Sequence, residues 1–181
     1  MKRQERLQKA WGQNDELFKQ LLYMGWEWEK VVAERLRTYG VDAQAKTTPR
    51  FRDSIKNAGN WACEPDVLVR VVGLKRSLEI EVKSQAHSFS DLPHTWPENR
   101  GPVLIETVKS MEGRDCLPEA YAFVSRRTRG ILAVDSKAME AWYVHKTYDK
   151  VRDIQEEWWV CESNMLQPFE WLVHTLGGTH G

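Results

Sequence analysis

The sequence predicts an α/β domain built on a mixed sheet, in the order helix, three strands, helix, strand. Three observations carry this. Apolar residues recur at helical spacing from about Asp15 to Tyr39. Short strand-like runs at Val41 to Thr47, Pro65 to Val72 and Leu78 to Lys83 are separated by turn-forming residues. Two further apolar runs, Tyr121 to Ser125 and Ile131 to Val134, flank a basic turn. The 181 residues read as a single domain over 1–181, with a core at about 15–135 and a C-terminal extension at about 136–181.

In the first helix Phe18, Leu22, Gly25, Val32, Leu36 and Tyr39 form one stripe, with Leu21 and Trp28 beside it. Asn14 or Asp15 suits the start, and Gly40 suits the position just past the end. Residues 48–60 read as loop. Gly73 to Arg76 supplies the turn of a hairpin between the second and third strands. A polar, proline-rich stretch from Ser84 to Pro102 follows, then a helix expected from about Val103 to Met111. Arg126-Arg127-Thr128-Arg129-Gly130 closes a later hairpin.

Composition narrows the function classes. Lys+Arg and Asp+Glu both number 26, so the net charge is zero, and a protein that coats nucleic acid without specificity would be more basic. Contact with a polyanion therefore requires a local basic patch. Cys63, Cys116 and Cys161 are odd in number and widely spaced, which points to reduced thiols and a cytoplasmic setting. The first fifteen residues are polar, and no run approaches the roughly 20 apolar residues of a membrane span. The nine tryptophans read as packing residues rather than a base-stacking platform.

The chemistry-bearing residues fall on the central hairpin. With the turn centred between Leu74 and Lys75, Asp66 stands opposite Lys83 and Leu68 opposite Glu81. Alternation puts Glu79, Glu81 and Lys83 on one face and Ile80 and Val82 on the other. Two acids brought together repel unless a cation lies between them, and a hard divalent ion with oxygen ligands resolves that conflict. A solvated surface salt bridge is the plain alternative, but the apolar residues alternating with Glu81 and Lys83 argue for a buried setting. Glu29 interrupts the apolar stripe of the helix and is a third candidate acid, whereas Glu27 and Glu34 lie off the stripe.

Pro65-Asp66, a turn, and then Glu81-Val82-Lys83 resemble the signature of the PD-(D/E)XK nuclease superfamily, and Gly25-Trp26-Glu27-Trp28-Glu29 resembles its acid-bearing first helix. The resemblance covers roughly Leu17 to Gln85 and implies a restriction-endonuclease-like αβββαβ core. It implies that Asp66 and Glu81, helped by the Val82 carbonyl, bind Mg²⁺ or Mn²⁺, and that Glu29 completes the shell. Lys83 would orient the attacking water, and Gln85 would be an accessory polar residue on the same face.

The expected activity is metal-dependent hydrolysis of DNA phosphodiesters by an endonuclease, with a homodimer as the candidate assembly, in restriction, repair, recombination or mobile-element processing in a bacterial or phage-infected cell. The competing readings are a catalytically inactive nucleic-acid-binding or assembly module of the same fold, and a metallohydrolase acting on another substrate. Arg50, Arg52, Lys56, Lys75, Arg76, Arg126, Arg127 and Arg129 are the candidate phosphate contacts. His87 and His94, seven residues apart in a loop with no cysteine beside them, make a poor zinc pair and fit a substrate-contacting or ordinary surface loop better.

Overall fold

The computed structural model describes residues 15–45, 66–114, 116–149 and 154–178. Helix α1 (Asp15–Thr38) buries Val32, Ala33 and Leu36 completely, while Glu27 and Glu34 face solvent. Its end follows from Gly40, whose φ of 77° lets the Gly40 N–H donate to the Arg37 carbonyl and the Val41 N–H donate to the Leu36 carbonyl. Strands β1 (Asp42–Ala45), β2 (Val67–Arg70) and β3 (Leu78–Gln85) then form an antiparallel meander.

Strand β4 (Val103–Thr107) and a one-turn helix α2 (Val108–Glu112) lead to β5 (Ala120–Ser125), which pairs parallel with β3. Strand β6 (Ile131–Asp135) completes a hairpin with β5. A second hairpin, β7 (Tyr143–Asp149) and β8 (Ile154–Cys161), is followed by the short strand β9 (Gln167–Pro168) and helix α3 (Phe169–Thr175). The strands form two sheets, of order β1-β2-β3-β5-β6-β9 and β4-β8-β7. The molecule is thus mixed α/β, as expected. Among the described residues no helix is long and apolar enough to cross a membrane.

The six-stranded sheet separates two cores. On one face Val67, Val69, Ile80, Ala120, Ala122, Val124 and Ile131 pack under α1 and α3. On the other, Tyr121, Phe123, Leu132 and Val134 pack against Val103, Ile105, Trp142 and Cys161 of the smaller-sheet layer, together with Phe89 and Trp96 of the loop after β3. Every residue of β5 is buried, which is why it reads as a continuous apolar run rather than an alternating one. Trp96 and Trp142 are core residues, in keeping with the packing role expected of the tryptophans. Residues beyond 136, expected as an extension, contribute to both cores through Phe169, Leu172 and Cys161.

Two expectations are overturned. Residues 103–111 are not one helix: Val103, Ile105 and Thr107 are β-branched and form a strand against β8, and helix α2 begins only where the Thr107 hydroxyl accepts the Ser110 N–H at 3.1 Å. The β2–β3 register also differs by two residues. Val67 pairs with Ile80 and Leu68 with Glu79, because the connection runs through 71–77, with Gly73 at φ 90°. Continuing that register places Asp66 across from Glu81, not Lys83, and Leu68 opposite Glu79, not Glu81. A shift of two preserves the face of every side chain, so the expected grouping survives.

The loop after β3 is docked tightly. The Ile131 N–H donates to Asp91 Oδ1 at 2.8 Å, Arg35 pairs with the Asp91 carboxylate, and the Ser125 hydroxyl donates to the His87 carbonyl at 2.9 Å. Gly130 allows this approach, since a Cβ there would stand 2.2 Å from the Phe89 carbonyl oxygen. Because that obstacle is backbone, Gly130→Ala is expected to destabilise the fold by about 1–3 kcal/mol. Thermal denaturation should then show a loss of about 2–4 °C per kcal/mol. An unchanged melting temperature would contradict the close docking of this loop.

Candidate active site

The site forms where β2, β3 and the start of the smaller sheet converge. Glu81 and Lys83 alternate on β3 and point to the same face. Lys83 Nζ lies 2.9 Å from Glu81 Oε1 and 2.8 Å from Glu106 Oε2. Arg114 Nη2 lies 2.7 Å from Glu81 Oε2 and 3.3 Å from Glu106 Oε2. The four side chains therefore close a ring of alternating charge.

Glu106 enters the ring through a β-bulge. Leu104 pairs with Val160 and Glu106 with the next residue back, Trp159, so β4 carries one extra residue. As a result Ile105 and Glu106 are both buried, where simple alternation would have sent Glu106 outward. Arg114 follows α2, its N–H donating to the Met111 carbonyl at 3.1 Å. The ring has an inside and an outside: the Lys83 side chain is 23% exposed, against 7% for Glu106 and 5% for Arg114. Lys83 is thus the corner nearest solvent.

Asp66 stands just before β2, and its Oδ2 accepts the Val82 N–H at 2.7 Å. Burial, then the charges of Glu81 and Glu29, raise its pKa well above the ordinary aspartate range, and the Val82 hydrogen bond and Lys83 only partly offset this. Glu81 goes the other way. Burial pushes its carboxyl up, but Lys83 and Arg114 more than reverse this and leave it below the usual range. Burial works against the Lys83 ammonium too, yet Glu81 and Glu106 hold its pKa above that of ordinary lysine. Lys83 is therefore a fixed cation, suited to orienting and polarising rather than accepting a proton. Tyr121 lies in the same electrostatic environment, fully buried, with burial and then Glu106 raising its phenol above the normal range.

Of the expected site residues, the structure brings together Asp66, Glu81 and Lys83, with the Val82 backbone between them. Glu29 is buried on α1, as its place in the stripe implied, and acts on Asp66 through its charge. Gln85 lies two residues beyond Lys83 on the same face, at the end of β3, where its carbonyl accepts the Arg126 N–H at 2.9 Å.

The basic candidates divide. Arg126, Arg127 and Arg129 are exposed on the turn at the Gln85 end of the sheet, whereas Lys75 and Arg76 are exposed before Leu78 at the opposite end. The eight residues of β3 set these groups apart by roughly 25 Å, so they do not line one patch. Arg50, Arg52, Lys56 and Pro65 lie outside the described residues. His87 packs edge-on to Trp96, with ring centroids 4.6 Å apart.

Glu106 and Arg114 were not anticipated. Reading 103–111 as a helix hid the strand that carries Glu106, simple alternation along that strand would send it outward, and nothing in the sequence around Arg114 marks it as buried.

Among the described residues no group of three or more His, Cys, Asp or Glu side chains is placed to hold a metal ion. Magnesium commonly takes only one or two protein carboxylates, completing its shell with water and substrate oxygens. Asp66 and Glu81 fit that chemistry. Asp66 feels the charges of Glu81 and Glu29, while Lys83 and Arg114 are shared between Glu81 and Glu106.

The raised Asp66 pKa also bears on stability. The folded state holds the Asp66 proton more tightly than the unfolded chain does. Its penalty is therefore absent below the unfolded pKa near 4 and grows as pH rises through that value towards the folded one. In buffer free of divalent ions, Asp66→Asn is expected to melt about 2–4 °C higher than the unaltered protein at neutral pH. The two should converge below about pH 4. A variant no more stable at neutral pH would show that Asp66 carries no such penalty. Neither protein-family models, curated protein sequences nor solved structures give a match to this chain.

Proposed function

We propose that the protein is a divalent-metal-dependent nuclease that hydrolyses phosphodiester bonds in DNA, on a restriction-endonuclease-like core. The observation that carries this reading is the convergence of Asp66, Glu81 and Lys83 on one hairpin face, with the Asp66 carboxylate bonded to the Val82 N–H and Lys83 Nζ 2.9 Å from Glu81. The element order supports the fold reading: a helix, an antiparallel three-strand meander, and a further strand parallel to the third.

Asp66 and Glu81 would hold a Mg²⁺ or Mn²⁺ ion, and Glu29 would add negative charge beside them. The bound ion would supply Lewis acidity at the phosphate. Lys83, cationic throughout the physiological pH range and the most solvent-accessible corner of the ring, orients the attacking water and offsets charge developing on the phosphoryl oxygens. The turn carrying Arg126, Arg127 and Arg129 stands just beyond Gln85 and offers the backbone contact that zero net charge does not.

One observation favours the non-catalytic module. Both Glu81 oxygens are already paired, one with Lys83 and one with Arg114. Cleavage assays on linear, single-stranded and branched DNA discriminate the readings. A nuclease cuts at least one of these with Mg²⁺ or Mn²⁺ and stops when the metal is chelated. Lys83→Arg, which keeps a charge between Glu81 and Glu106, should retain the fold and lose about 10²–10³-fold in rate. DNA bound by the protein but uncut in all three forms with either metal would leave the binding module standing.

A further inference from the structure

Arg114 has a place in this site that the roles of Asp66, Glu81 and Lys83 do not explain. Its side chain is 5% exposed, yet it lies on the same two carboxylates as Lys83, on the side away from solvent. Both of its bonds come from one nitrogen, Nη2, at 2.7 Å from Glu81 and 3.3 Å from Glu106. Its Nε is buried without a hydrogen-bond partner among the described residues. The guanidinium is therefore held by one corner shared between two acids, not by a two-pronged grip on either. Such a nitrogen can leave Glu81 and stay on Glu106 without crossing the core. Lys83 Nζ keeps its own 2.8 Å contact with Glu106 in either arrangement.

We propose that Arg114 is a resident counter-cation of the site, which a divalent ion must displace from Glu81 and which Glu106 then retains. The inference rests on the metal-binding reading of Asp66 and Glu81. Physically, Glu81 would otherwise be a buried carboxylate with only Lys83 to balance it whenever the ion is absent, a state that is strongly unfavourable. Arg114 neutralises it in that state, and the same neutralisation opposes binding of the ion. Glu106 makes the exchange possible by offering the displaced guanidinium a second carboxylate. On this view Arg114 and Glu106 are positioning residues that set metal affinity without touching the substrate.

Titration calorimetry with Mn²⁺ tests this on the full chain, because competition and mere structural support give opposite signs. Arg114→Gln should bind Mn²⁺ about 10-fold more tightly than the unaltered protein, while melting at a lower temperature without metal. Arg114→Lys, which keeps the charge on a shorter stem and is the safer variant for folding, should tighten binding about 3-fold. Glu106→Gln should weaken it about 10-fold, since Arg114 is then left with Glu81 alone.

Equal or weaker Mn²⁺ binding by folded Arg114→Gln overturns the proposal. If that variant does not fold, equal or weaker binding by Arg114→Lys does so. Absence of Mn²⁺ binding in every form, Arg114→Gln included, overturns the metal reading and this inference with it. Mn²⁺ bound with the expected order of affinities, but no DNA cut, supports the inference and removes only the nuclease assignment.

Discussion

The closed ring of Lys83, Glu81, Arg114 and Glu106 is the constraint on which the rest of the arrangement depends. It draws two residues from β3, one from β4 and one from the segment after α2, so it joins the main sheet to the layer that covers it. Its net charge is zero and its members alternate in sign, which is how four ionised groups share a largely buried space. Losing any one leaves an uncompensated buried charge, a strongly destabilising event, even though replacing a whole buried ion network by apolar residues can be neutral or favourable. The ring is thus weak evidence for stability as such and better evidence for a site that requires charge in a fixed place.

Asp66 is excluded from that balance, and the exclusion is informative. Glu81 and Asp66 face each other across the same hairpin, yet burial with two neighbouring acids drives Asp66 up while Lys83 and Arg114 bring Glu81 down. Two carboxylates split in this way by their surroundings are a pattern found at functional sites, although structural ion networks produce it as well. Burial and the charges of Glu81 and Glu29 all disfavour the ionised form of Asp66, and the Val82 N–H and Lys83 only partly relieve it. That juxtaposition of Asp66 with Glu81 is the physical basis of the metal reading.

Much of this was legible in the sequence, and the limits have identifiable causes. Helix α1 and its Gly40 stop follow from periodicity and the left-handed preference of glycine. The burial of Glu29 but not Glu27 or Glu34 follows from the same wheel. Alternation along β3 put Glu81 and Lys83 on one face whatever the register. The register itself depends on the length of the connecting loop, which residue types around Gly73 do not determine, so the partner of Asp66 was misplaced by two. Glu106 was hidden twice over, since residues 103–111 read as a helix and simple alternation along a strand would still have sent it outward. A bulge changes which side a residue faces, and it arises from the pairing of β4 with β8, some fifty residues away in sequence.

The direction from which a ligand would reach the site follows from the same geometry. The helix layer covers one face of the main sheet, and Glu106 with Arg114 closes the ring from behind, so Lys83 is the corner left towards solvent. The loop after β3 is fastened to Arg35, Ile131 and Ser125, which fixes its docking beside the Gln85 end of β3. Exposed arginines occupy the turn at that end, and Lys75 and Arg76 lie beyond the opposite end, where Arg76 already reaches Glu119. An anionic chain lying across Lys83 would therefore meet positive charge on the Arg126–Arg129 side first. In a chain with no net charge, this local asymmetry is what would orient a polyanion, and it acts over about a Debye length, roughly 8–10 Å at physiological salt. Contacts from Lys75 and Arg76 would require the polyanion to run the length of β3, so under the nuclease reading the turn after β5, and not the central hairpin loop, is the anchor.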